Sequence, residues 1–118
     1  MPMKKYMAVY TATPPKREEF ERLDPAERKA REKSGMEAWK KWAETNGRAI
    51  KDGGSPLGKT KRVNGSGVAD TRNNLAAFTI VEAESHDAAA RLFLNHPHFT
   101  IFPGDAVEIM ECLQMPGS

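Results

Sequence analysis

Apolar and polar side chains alternate from the start of the chain. Residues 3 to 12 (Met-Lys-Lys-Tyr-Met-Ala-Val-Tyr-Thr-Ala) predict a strand, which Pro14-Pro15 ends because proline cannot donate to a ladder. A charged stretch follows, with nine basic and eight acidic residues across 14 to 47. Its first helix signal is Asp24-Pro25-Ala26-Glu27. Asp24 can cap free backbone N–H groups, Pro25 suits the first helical position, and Glu27 can reach back toward the cap. Ser34 with Glu37 repeats the signal, so Gly35 is expected to separate a short polar helical piece from a main helix over 36 to 46. On the main helix Met36, Trp39 and Ala43 form an apolar stripe with Trp42 one step aside, and Asn46-Gly47 closes it.

The period then shortens to two. Ala49 to Asp52 predicts a short strand, and Gly53-Gly54-Ser55-Pro56-Leu57-Gly58 a turn-rich stretch. Lys59 to Val63 and Gly67 to Asp70 flank Asn64-Gly65-Ser66 as a hairpin. Ala76 to Ala83 is rich in β-branched and aromatic residues and predicts a central strand. Ser85 caps a second helix, expected to run to about Asn95 before Pro97 stops it, with Ala89, Leu92 and Phe93 as its buried face. Ala106 to Leu113 is the last strand, and its alternation leaves open which face is buried.

This order, β-α-β-β-α-β with a ribbon inserted between the halves, predicts an α+β, ferredoxin-like subunit. Helices then cover one sheet face only, and 118 residues supply no third layer. A homodimer packed sheet to sheet is the expected cover. Length fits one domain over 1–115, with 116–118 as a tail.

Composition narrows this picture. Hydrophobic residues make up 39% and charged ones 29%, which suits a folded soluble chain. No stretch approaches the about 18 continuous apolar residues of a membrane span, and residues 1 to 10 lack the apolar segment of a signal peptide. The expectation is a cytoplasmic protein that makes no membrane contact. A single cysteine, Cys112, cannot form an internal disulfide, and its apolar neighbours predict a small buried hydrophobe. Net charge is +2, made of +2 over 1–13, +1 over 14–47, +4 over 48–74 and −5 over 75–118. The basic middle piece lacks aromatic residues interleaved with its charges, so nucleic acid is not an expected partner. A solvated hairpin, whose charges also protect a sheet edge, is the favoured account, and attraction of an anionic substrate is the alternative.

Several runs resemble, in order, the YCII-related (DGPF-type) proteins. They are Lys4-Lys5-Tyr6-Met7, Trp39-Lys-Lys-Trp42, Gly54-Ser55-Pro56-Leu57-Gly58 followed by Lys61-Arg62-Val63, Phe78-Thr79-Ile80, and His96-Pro97-His98. The resemblance spans nearly the whole chain and implies a dimeric α/β barrel of ferredoxin-like subunits. The tetrapeptide Asp-Gly-Pro-Phe is absent, and the basic ribbon takes its place. Relatives in that family resemble enzymes that rearrange or dehalogenate ring-derived compounds, and others are associated with alternative sigma factors. The resemblance therefore implies either a small-molecule protein, with lyase or isomerase-type acid–base activity, or a regulatory module with a protein partner.

The candidate chemistry centres on Asn95-His96-Pro97-His98. His96 continues the spacing 89, 92, 93 and is expected to face a cavity as general acid or base, oriented by Asp52. The alternative is a helix-capping histidine donating to a backbone carbonyl. Ser55, Trp42 and His98 are the expected substrate contacts, with Trp39 assigned to the core. His86 lies roughly 15 Å along a helix from His96, so neither a metal site nor a cofactor is expected.

Overall fold

The computed structural model describes residues 2–117. Its elements are β1 (Lys4–Thr11), α1 (Pro14–Glu21), α2 (Pro25–Thr45), β2 (Ile50–Asp52), β3 (Thr60–Asn64) and β4 (Gly67–Thr71). They continue with β5 (Leu75–Ala83), α3 (His86–Arg91), α4 (Pro97–Thr100) and β6 (Ala106–Glu111). Four strands form one antiparallel sheet in the order β2-β5-β1-β6, and β3 and β4 pair as a separate ribbon. This is the expected α+β, ferredoxin-like arrangement with its inserted ribbon. No helix among the described residues is long and apolar enough to cross a membrane.

Register decides which side chains share a face. Tyr6, Ala8 and Tyr10 of β1 stand opposite Val81, Thr79 and Ala77 of β5, while Ala8 and Tyr10 also face Ile109 and Val107 of β6. On this face Tyr6, Ala8, Tyr10 and Val81 pack with Ala89 and Phe93, and Trp39, Trp42, Leu92, Val107 and Ile109 close around them. The last strand thus turns Val107 and Ile109 toward the helices, which its alternation alone left open. The opposite face holds Met7 between Ile80 and Met110, and Val9 beside Phe78. None of these joins the helix-packed cluster.

The pairing of β1 with β5 is irregular at one point: Tyr10 faces Ala77 but Thr11 faces Leu75, so Ala76 is an extra residue on β5. A bulge of this kind bends a strand and redirects its carbonyls.

Where local signals are strong, the elements form as expected. The Asp24 carboxylate accepts the Ala26 N–H (3.1 Å) with Pro25 in the first turn, and the Ser85 hydroxyl accepts the Ala88 N–H (3.1 Å). β1 stops before Pro14-Pro15 as expected, and the same prolines open α1, with the Thr13 N–H at its start held by the Asp105 carboxylate. Three expectations are corrected. Helix α2 runs unbroken through Gly35, whose absent side chain lets the Phe102 ring approach; a Cβ there would stand 2.5 Å from it. Helix α3 stops at Arg91, Asn95 takes a left-handed φ of 58°, and Pro97 begins α4 instead of ending α3. Cys112 lies beyond β6 and is exposed, because the strand ends at Glu111.

Candidate functional site

The loop after β2 folds back onto β5. Pro56 bridges Ala77, the Leu57 N–H donates to the Ala76 carbonyl (2.9 Å), and the Phe78 N–H donates to the Ser55 carbonyl (3.4 Å). Gly54 permits this turn: its φ is 71°, and a Cβ there would overlap the Phe78 carbonyl. The Asp52 carboxylate accepts the Gly54 N–H (2.8 Å) and so shapes the same turn. Facing this strap, α2 presents Met36 and Trp39. Between them opens a cavity of about 390 Å³, within the range of small-ligand sites. Met36, Trp39, Phe78 and Phe102 form apolar walls, with His98 and Ser55 among the lining residues.

His98 is 6% exposed. Its Nε2–H donates to the Thr11 carbonyl (2.8 Å), which makes Nδ1 the lone-pair nitrogen available to a ligand. The same carbonyl accepts the Asp105 N–H (2.9 Å), so the end of β1 anchors both the histidine and the loop before β6. Gly104 packs against His98, and a Cβ at that position would overlap the ring and the His98 carbonyl. Burial pushes the His98 pKa down, partly opposed by the bond to Thr11 and by the nearby Asp105 charge. The imidazole is therefore held in its neutral form, which leaves the Nδ1 lone pair free to accept a hydrogen bond.

His96 occupies a different environment. It is fully buried, and its ring meets Trp39 and Trp42 with centroids 4.5 Å away in each case. Its Nδ1 accepts the His98 backbone N–H (3.0 Å), which caps α4 and leaves the proton on Nε2, where it finds no hydrogen-bond partner. Burial lowers its pKa to about 4, with the neighbouring His98 adding to the effect. His96 thus stands behind the cavity and positions the residue that lines it.

Below both histidines, Tyr10 stacks on Trp39 with centroids 5.0 Å apart. Its hydroxyl pairs with Thr79 Oγ1 (2.9 Å), and the Thr79 hydroxyl reaches the Gly53 carbonyl (3.4 Å). Burial raises the Tyr10 pKa to about 12, the Thr79 bond offsetting part of the shift, so the phenol stays protonated. This line of hydroxyls ties the core to the strap.

Of the expected site residues, His98 and Ser55 line the cavity; His96, Asp52 and Trp42 do not. The acid–base pair of His96 with Asp52 is not formed: His96 Nδ1 bonds to His98 and the Asp52 carboxylate to Gly54. The tryptophans exchange places, since Trp39 borders the cavity while Trp42 packs on Phe93 and donates from Nε1 to the Leu92 carbonyl (2.8 Å). His96 does cap a helix, but it accepts the His98 N–H at the start of α4, whereas the alternative had it donating to a carbonyl. His86 is engaged elsewhere, bonding the Ile109 carbonyl (2.7 Å) and stacking on Tyr6. Phe102 and the Thr11 carbonyl were not foreseen; a carbonyl carries no sequence signature, and Phe102 is placed by contacts with the distant Gly35 and Trp39.

The sequence matches no family model and no curated protein. Among solved structures, the chain is similar to 5-chloro-2-hydroxyhydroquinone dehydrochlorinase (TftG) from Burkholderia phenoliruptrix AC1100, in its complex with 2,5-dihydroxybenzoquinone. The TM-score is 0.54 and the identity 16%, over 94% of this chain and 95% of that one. The two chains share the ferredoxin-like α+β fold. At this identity the likeness reaches the chain trace and not the side chains.

Proposed function

We propose that the cavity binds a small, flat, mainly apolar ring compound bearing a hydroxyl group, and that His98 Nδ1 accepts that hydroxyl's proton. One observation carries the reading: a neutral histidine, one nitrogen held by a backbone carbonyl, lines an aromatic-walled cavity of about 390 Å³. On transfer the proton leaves the ligand oxygen for Nδ1. The resulting imidazolium keeps its Nε2–H on Thr11, and the nearby Asp105 charge favours it. TftG, whose structure holds a dihydroxybenzoquinone, lends support by analogy of fold alone. The test is a calorimetric titration of wild type and His98→Gln with phenol, whose hydroxyl keeps its proton at pH 7, and with anisole, in which that hydroxyl is blocked. The hydroxylated ring should bind more tightly to wild type, and His98→Gln should lose that preference by about tenfold, the value of one hydrogen bond to an ionised group. Equal affinity of both proteins for both rings would overturn the reading.

The same proposal takes the working unit to be a homodimer, and the chain to be a cytoplasmic, YCII-related protein. Surface area supports the dimer. The chain exposes 8618 Å², whereas a compact monomer of 13.1 kDa exposes about 6,400 Å². Its radius of gyration, 16.3 Å, likewise exceeds the about 13.5 Å of a compact chain of this length. The Met7, Ile80 and Met110 face is the natural place for a second copy.

A further inference from the structure

A second concavity, of about 780 Å³, is lined by α1 and the β3–β4 ribbon and shares no lining residue with the apolar cavity. Arg17 reaches it from α1, and Lys59, Lys61 and Arg72 from the ribbon and its flanks. The one carboxylate in its lining, Asp70, pairs with Lys61 at 2.6 Å. Among the described residues no carboxylate forms an ion pair with Arg17, Lys59 or Arg72. Edge protection explains lysines along a ribbon, yet it gives no reason for an arginine on a separate helix to border the same hollow. Unpaired like charges around a concavity repel one another and concentrate a positive potential there. The hollow also has an apolar part, Leu57 and Leu75, which are 43% and 44% exposed.

We propose that this cleft is a second binding site, for an amphiphilic organic anion: a carboxylate or phosphate carried on a short apolar body. The oxyanion sits among Arg17, Lys59 and Arg72: the two guanidinium forks match its planar or tetrahedral oxygens, the Lys59 ammonium adds a point charge, and the apolar body lies against Leu57 and Leu75. The volume suits a small molecule.

The experiment is calorimetry on the full chain at low ionic strength with hexyl phosphate, heptanoate, inorganic phosphate and 1-hexanol. Hexyl phosphate or heptanoate should bind about tenfold more tightly than inorganic phosphate and than hexanol, and the stronger of the two identifies the oxyanion. Arg17→Gln and Arg72→Gln should each weaken it about tenfold, and Leu57→Ser should weaken the alkyl-bearing probe while leaving inorganic phosphate unchanged. Lys51→Gln is the control, because Lys51 lies outside the cleft and pairs with Glu82 at 3.3 Å. Equal weakening in Lys51→Gln, or hexyl phosphate binding no tighter than inorganic phosphate, would reduce the effect to diffuse attraction and overturn the site. Loss of binding in Ser55→Trp, which fills the apolar cavity, with Arg72→Gln unaffected, would place the anion in that cavity and equally overturn it.

Discussion

A fully buried histidine held at a pKa of about 4 makes the fold sensitive to acid, and the size of the effect follows from linkage. The unfolded chain protonates His96 near pH 6.5, while the native chain keeps it neutral until about pH 4. Between these values the unfolded state binds the extra proton, so stability falls as pH falls, and the loss is largely complete near pH 4. One group contributes about 2 kcal/mol of destabilisation at pH 5 and about 3 kcal/mol at pH 4, a large share of the 5–15 kcal/mol that holds a domain together. His98 shifts in the same direction. To isolate His96, urea unfolding of wild type and His96→Asn is compared at pH 7, 6, 5 and 4. Asparagine keeps an acceptor for the His98 N–H and does not titrate. The variant starts less stable at pH 7 because the ring's packing is lost. Acidic and other groups titrate in both proteins, so the gap between the two curves reports His96. That gap should narrow by about 3 kcal/mol from pH 7 to pH 4. A gap constant to within about 0.5 kcal/mol would refute the argument, as would an NMR titration that places His96 near 6.5.

Three further outcomes are expected. Gly104→Ala should lower stability by about 2–3 kcal/mol, read as a fall in Tm, because the new methyl overlaps the His98 ring and backbone. Tyr10→Phe removes the hydroxyl paired with Thr79 and should cost about 1 kcal/mol in urea unfolding, limited because Thr79 keeps its Gly53 acceptor. Met110→Lys places a charge on the open sheet face at a residue already 45% exposed in the subunit, so light scattering should report the mass of one chain with the helical circular dichroism unchanged. A dimer that survives this substitution would move the interface elsewhere.

Much of the frame was legible in the sequence, since its signals are local. β1 and β5 alternate with β-branched and aromatic residues, the Asn64 turn folds the ribbon, and Asp24 and Ser85 cap where an N-cap side chain should. What escaped depends on contacts between distant residues. Helix α1 begins where Asp105, 92 residues on, holds the Thr13 N–H, and nothing near Pro14 announces that partner. Gly35 resembles a break until Phe102 is found against it. Extending the helical period from Ala89 to His96 aimed the wrong histidine at the cavity, because the left-handed turn at Asn95 resets the count and brings His98 there instead. The two tryptophans are three positions apart on one helix, and only its packing against Phe93 and the strap decides which of them borders the cavity.

The extra residue on β5 links chain length to the site. Ala76 interrupts the ladder next to Thr11, and its carbonyl holds the Leu57 N–H of the strap, while the Thr11 carbonyl serves His98 and Asp105. Deleting Ala76 would restore an even ladder and remove the strap's tie. The number of residues in β5 therefore sets the cavity's shape as well as the strand's pairing, since an insertion or deletion there would move the strap together with the lining residues Ala76, Ala77 and Phe78.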